Sequence, residues 1–340
     1  MFNNISKLMF LSALMSGTLI TISSTSWFGA WMGLEINLLS FIPLMNNSNN
    51  LMSTESALKY FLTQAIASSI FFVAIVLSML KFNSWIENNM YNNMLITISL
   101  LIKSGSAPFH FWFPSVMEGL SWTNSLILMV WQKIAPLIMI YNVYWLNMMI
   151  VFIISSAFIG GIGGLSQTSI RKLMAFSSIN HLSWMLMAMS ESVKSWMLYF
   201  LLYALLTTSV VYFFNQNKLF HMNQLFIMLS TSLMMKFCFL VNFLSLGGLP
   251  PFTGFFPKWI VIQQLSFMNQ NMMMFILILS SLITLYFYLR LCYAAFMIGS
   301  VEMNWNQPMH QNNKSYLYST SSTFFSIAGL PMITLIYLFI

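Results

Sequence analysis

Long apolar stretches follow one another along the whole chain, separated by short runs of Asn, Ser, Pro or charge. About 20 apolar residues make one membrane-crossing helix, and hydropathy windows of that length pick out candidates. The pattern predicts eleven spans, near 5–22, 27–45, 57–80, 92–115, 122–143, 148–166, 173–190, 195–214, 237–264, 272–298 and 318–340. Connections such as Asn46–Asn50, Ser84–Asn93 and Asn304–Lys314 leave no room for an extramembrane domain. The expected fold class is an all-α, polytopic membrane protein, a single transmembrane domain over 1–340.

Composition removes the soluble alternative. Only 6% of the residues are charged and 59% are hydrophobic, against roughly 25% charged in a soluble domain, so lipid has to be the solvent. The net charge of +7 comes from thirteen Lys and Arg scattered singly apart from Arg171-Lys172. They form no basic patch, so no nucleic acid is expected as a partner. Cys238 and Cys292 lie in apolar stretches without CxxC or ligand spacing, which reads as core thiols. Met1–Lys7 lacks the Arg/Ser-rich amphipathic character of a transit peptide, and Leu8–Ile22 ends in no clean cleavage site, so it is expected to be the first span. No Gly-rich phosphate loop, haem-spaced His pair or Cys cluster is present. Neither a cofactor nor a metal is expected in this chain, nor direct redox chemistry.

Charge asymmetry gives an expected orientation. With eleven spans, Lys7, Lys59, Arg171, Lys172, Lys218, Lys236, Arg290 and Lys314 fall on the N-terminal side, and Lys81 and Lys194 on the other. The positive-inside rule then places the N-terminus in the matrix or cytoplasm and the C-terminus on the far side.

Two segments match at an offset of 143 residues: Gly105-Ser106-Ala107-Pro108-Phe109-His110-Phe111-Trp112-Phe113-Pro114 and Gly248-Leu249-Pro250-Pro251-Phe252-Thr253-Gly254-Phe255-Phe256-Pro257. Pro in mid-helix removes a backbone hydrogen bond and Gly loosens the turn beside it. Such breaks are tolerated at bilayer depth only where protein or cavity water satisfies the freed groups. A broken span in each half points to a transport site. The expected division is a first repeat over 1–145 with its break near 103–115, a second over 146–298 with its break near 246–258, and a C-terminal helix over 318–340. Five spans is an odd number, so successive repeats are expected to be inverted.

Four charges fall inside or beside spans: Glu35, Lys103, Lys133 and Lys258. A charge at that depth costs about 2.5–3.5 kcal/mol on insertion scales, so each must be paired, hydrated or useful. Glu35 is far from either end of its helix; it reads as a proton-exchanging carboxylate or as a tie between helices. Lys103 lies just before the first break, and Lys133 midway through the next span. Burial penalises the charged form of a lysine, which suits proton exchange, while a fixed ion pair bracing the bundle is the plainer reading. Lys258 follows the second break and either exchanges protons or snorkels to the interface. His110 in the first break and His181 in Ser177–His181 each read equally as proton relays or as helix-to-helix hydrogen bonds. Glu118, Lys59 and Arg290 are expected near the membrane surface.

Five stretches carry a resemblance: Trp27–Pro43 (WFGAWMGLEINLLSFIP), Ser56–Gln64 (SALKYFLTQ), Lys103–Gly119 (KSGSAPFHFWFPSVMEG), Ser169–Trp184 (SIRKLMAFSSINHLSW) and Leu244–Trp259 (LSLGGLPPFTGFFPKW). They resemble the NADH dehydrogenase subunit 2 family of mitochondrial respiratory complex I, in its insect or other invertebrate form, over essentially the whole chain. The resemblance implies antiporter-like inverted five-helix repeats, each with one discontinuous helix. It implies that Glu35 and Lys103 form the first-half pair, Lys133 is the central lysine and Lys258 the second-half lysine of proton translocation. It also implies the mitochondrial inner membrane, with the C-terminus toward the intermembrane space. Flavin, iron–sulfur clusters and the quinone site are then expected in other subunits. The partners implied are other membrane-arm subunits, including a neighbouring antiporter-like subunit and small membrane subunits, and membrane lipid such as cardiolipin.

Two rival readings stand beside this one. A stand-alone cation/proton antiporter would share the fold and work without NADH or quinone. A structural spacer would use its lysines only to hold a membrane arm together. On scale, moving one charge against about 100 mV requires about 2.3 kcal/mol, and a change of two to three units in proton affinity supplies about 2.7–4.1 kcal/mol.

Overall fold

A single segment in hydrocarbon can satisfy all its backbone N–H and C=O groups only as a helix, and the chain follows that constraint. The computed structural model describes residues 5–47, 50–80, 87–229, 233–297, 320, 321, 323–329 and 331. Among them run α1 (Ile5–Ser23), α2 (Trp27–Met45), α3 (Leu51–Leu80), α4 (Glu87–Ser104), α5 (Trp112–Gly119), α6 (Trp122–Leu126), a π-turn (Ile127–Trp131), α7 (Gln132–Asn142), α8 (Leu146–Leu165), α9 (Ile170–Ala188), α10 (Val193–Asn217), α11 (Met222–Leu229), α12 (Leu233–Gly247), α13 (Phe255–Phe267) and α14 (Asn271–Met297). The described residues from 320 onward are helical too. No strand occurs among the described residues, only an isolated bridge between Ser169 and His221. Lys81, Lys314, the Asn304–Lys314 connection, residues 84–86 of Ser84–Asn93 and residues 318, 319, 322, 330 and 332–340 of the last expected helix lie outside them.

Seven helices among the described residues are each long and apolar enough to cross a membrane: α1, α2, α3, the run Trp122–Asn142, α8, α10 and Asn271–Tyr293 within α14. The remaining expected spans fail that simple test for visible reasons. The breaks shorten α5, α12 and α13, and Glu87 with Asn88, Asn89, Asn92 and Asn93 lowers the hydropathy of the 18-residue α4. Ser177, Ser178, Asn180, His181 and Ser183 dilute α9, which tolerates them because sixteen of its nineteen residues are buried against protein.

Two helix starts and one additional helix differ most from the hydropathy reading. α3 begins at Leu51 rather than 57, since Asn50 accepts from Met52 N–H at 3.2 Å and the Glu55–Lys59 pair at 2.6 Å is exposed. Hydropathy marks what lies in lipid, and a capped polar turn stays helical beyond it. α4 likewise starts earlier, at Glu87. α11 was not expected at all; at eight residues it is too short for a spanning window, and Gln224 Oε1 caps its start by accepting from Phe220 and His221 N–H at 2.7 and 3.2 Å.

The chain forms two compact units, Met1–Phe152 and Ile153–Ile340, each with one broken span. The breaks superimpose in register at the 143-residue offset: α4 and α12 end at Ser104 and Gly247, and α5 and α13 resume at Trp112 and Phe255. Gly105 and Gly248 take φ of 75° and 79°, a left-handed conformation in which other residues are strained. Cis peptides precede Pro108 and Pro251. Even the closing hydrogen bonds correspond. Gly105 donates to Leu101 and Ile102 O as Gly248 donates to Leu244 and Ser245 O, and Phe113 to His110 O as Phe256 to Thr253 O.

Candidate functional site

A helix broken at bilayer depth leaves its last carbonyls without the donors of a following turn. In the first unit those groups collect donors from around them. Leu101 O accepts from Ser106 Oγ at 3.1 Å, Ile102 O from Trp112 Nε1 at 3.1 Å, and Lys103 O from Gln64 Nε2 of α3 at 3.4 Å. The backbone is thus secured without the Lys103 ammonium, which is buried with no hydrogen-bond partner and lies 5.8 Å from the centre of the Phe71 ring.

Glu35 projects from the middle of α2, where Gly33 packs so closely on α1 that an added Cβ would come within 2.8 Å of Thr21 N. Its Oε2 is buried and also lacks a hydrogen-bond partner. Glu35 and Lys103 interact electrostatically without an ion-pair contact within 4.0 Å. Two opposite charges held near one another but not joined are an arrangement whose separation controls their interaction.

Lys103 lines a cavity of about 20 Å³ together with Lys133, Asn37, Tyr60, Gln64 and Gln132. One water needs on the order of 10–15 Å³, so the space between the two lysines admits water, and the amides and phenol of its wall offer partners. Lys133 is almost fully buried, with its ammonium 5.2 Å from the Phe113 ring centre. It follows the π-turn, a wide turn that recurs at functional sites. Beside it, Gln132 donates to Asn37 Oδ1 at 2.9 Å, tying α7 to the helix of Glu35.

The second unit uses its lysine differently. Lys258 stands in the first turn of α13 and its ammonium donates to Gly247 O, the last carbonyl of α12, at 2.7 Å. Gly248 makes room for it: a Cβ there would come within 2.9 Å of Lys258 Nζ. The ammonium lies 6.0 Å from the Trp184 ring centre. One turn away on α9, His181 Nδ1 shares a hydrogen bond of 3.0 Å with the Tyr199 hydroxyl, and its ring lies 5.1 Å from Tyr203. Ser280 and Thr284 of α14 meet Asn180, the residue before it.

His110 is buried in the first break, donating from Nδ1 to Pro108 O at 3.2 Å, with its ring tilted against that of the exposed Phe111 at 4.3 Å. Of the expected residues, Lys103 and Lys133 therefore share one cavity with Glu35 acting on the first, while Lys258 approaches α9 at Trp184, one turn from His181. Sequence reasoning passed over Asn37, Tyr60, Gln64, Gln132, Tyr199 and Tyr203. A usable signal was present, because Tyr60 and Gln64, like Tyr199 and Tyr203, are polar groups at i,i+4 spacing within apolar spans.

Residues 24–284 match the family model "NADH:quinone oxidoreductase/Mrp antiporter, TM", and residues 285–337 match "NADH dehydrogenase subunit 2 C-terminus". NADH-ubiquinone oxidoreductase chain 2 of Anopheles gambiae is 56% identical over 336 residues, covering 98% of both chains. Its counterpart in Locusta migratoria is 42% identical over 313 residues, 92% of each. In fold, the chain is similar to a chain of respiratory complex I from Thermus thermophilus, with TM-score 0.86 at 22% identity over 99% of this chain and 80% of that one. A chain of the Mrp complex from Dietzia sp. gives 0.82 at 14% identity over 96% and 75%.

Proposed function

Because the chain belongs to the NADH dehydrogenase subunit 2 family of antiporter-like membrane proteins, we propose that its buried lysines carry protons within the membrane arm of NADH:ubiquinone oxidoreductase. It is an antiporter-like, multi-pass subunit that takes part in proton translocation coupled to electron transfer from NADH to ubiquinone, and other membrane-arm subunits are its partners. The observation that carries the lysine assignment is the water-sized cavity lined by both Lys103 and Lys133. Glu35 moves toward or away from Lys103 and changes its hold on a proton; Lys133 and then Lys258 take the proton on. His181, hydrogen-bonded to Tyr199, is a relay in the second unit, and His110 serves the first. Each unit corresponds to one repeat, 1–145 and 146–298, with the C-terminal helix added.

Electrons stay outside this chain, in subunits that hold the flavin, iron–sulfur clusters and quinone site. The lysine and arginine asymmetry supports an N-terminus in the matrix and a C-terminus toward the intermembrane space. Small membrane subunits and a second antiporter-like subunit flank the chain, and inner-membrane lipid, cardiolipin included, covers its remaining apolar faces.

Glu35→Gln is the direct test, because it keeps the shape and removes the switching charge. The expected result is an assembled oxidoreductase with impaired proton output; normal output from the assembled variant would sink the mechanism. A structural spacer would instead lose assembly before proton flux. A stand-alone antiporter would move cations as the isolated chain, without NADH or quinone.

A further inference from the structure

The second break is held by a contact that lies outside the proposed proton path. Thr253 N–H, freed by the break, donates to Ser326 O of the C-terminal helical segment at 3.1 Å. Gly329, one turn further on, lies so close that an added Cβ would overlap Thr253 Cγ2. Thr323, one turn before Ser326, meets Cys238 of α12 across 3.9 Å. Thr323 and Ser326 are buried while Phe324, Phe325 and Ile327 are exposed, so one face of this segment is committed to the break.

Thr253 is followed by Gly254, whose Cα stands so near Ser245 O that no side chain fits. Helix α13 starts at the next residue, and Lys258 lies in its first turn. A displacement of Thr253 therefore passes along five residues, with close backbone packing on the way, to the ammonium on Gly247 O. We propose that the C-terminal helix is a brace that positions Lys258, with Ser326 and Gly329 as its positioning residues. The inference rests on the reading of Lys258 as a proton carrier.

The test uses assembled NADH:ubiquinone oxidoreductase in sealed membrane vesicles, carrying Gly329→Ala. Proton output per NADH oxidised is followed across pH. The expected result is a partial loss of output and a shifted pH profile, both reversed by adding Thr253→Ser, which deletes the methyl that the new Cβ strikes. Unchanged output and pH profile, or a loss that Thr253→Ser does not reverse, overturns the brace. Lys258→Met is measured alongside. If it lowers output while Gly329→Ala does not, only the brace falls; if neither changes output, the brace and the role of Lys258 fall together. Should Gly329→Ala not assemble, Thr253→Ala leaves a gap in place of a wedge. A shifted pH profile in that variant supports the brace and an unshifted one overturns it.

Discussion

The two breaks share a backbone and divide their labour in opposite ways. In the first, neutral donors from Ser106, Trp112 and Gln64 satisfy the open carbonyls, and the Lys103 ammonium is left beside a cavity with only a distant carboxylate and a ring for company. In the second, the Lys258 ammonium itself closes the helix end through Gly247 O. A charged donor makes a bond roughly twice as strong as a neutral one, so Lys258, the proposed proton carrier, is also a structural pin. A Gly-Pro break decides where carbonyls open; the donors placed around it decide whether the nearby lysine is free to exchange or bound to its scaffold.

Gly254→Ala should break the comparison most severely. Its Cβ would overlap Ser245 O, and overpacking of this kind costs about 1–3 kcal/mol or more. Loss of the chain from the assembled complex on native gels is the expected result, whereas Phe111, its exposed partner at the 143-residue offset, should tolerate Ala with assembly intact. Lys258→Met comes next: it removes proton output and also orphans Gly247 O, at about 1–3 kcal/mol, so the thermal midpoint of the complex should fall. Lys103→Met sharpens the contrast by removing output without that fall, because no hydrogen bond is lost and a buried charge is relieved. Trp112→Phe is the smallest effect, one neutral hydrogen bond of about 0.5–1.5 kcal/mol, visible as a modest drop in midpoint with proton output kept. Equal thermal behaviour of the two lysine variants would erase the distinction between pinned and free.

Much of this was legible in the residues. The breaks announce themselves as Gly and Pro at matched offset, and the lysines as charges where lipid tolerates few. What stayed hidden depends on contacts distant in sequence or on backbone phase. Gln132 and Asn37 are 95 residues apart and neither is charged, so nothing local marks them as partners. The attachment of Lys258 to Gly247 O could not be told from snorkelling, because both readings place a lysine near a helix end. The capped start of α3, the early start of α4 and the short α11 escaped because hydropathy reports lipid exposure rather than helicity.

The π-turn at Ile127–Trp131 also has a consequence in chain length. An α-helix advances by about 100° per residue, and a π-turn holds one residue more than an α-turn. Deleting one residue from Ile127–Trp131 would leave a span as apolar and as insertable as before. Such a deletion would turn the π-turn into an α-turn and leave Lys133 in phase with the buried Trp122 and Asn124, whereas the same deletion in regular α-helix would rotate it by about 100°. The π-turn is thus the one stretch of this span that can shorten by a residue while its lysine keeps facing inward.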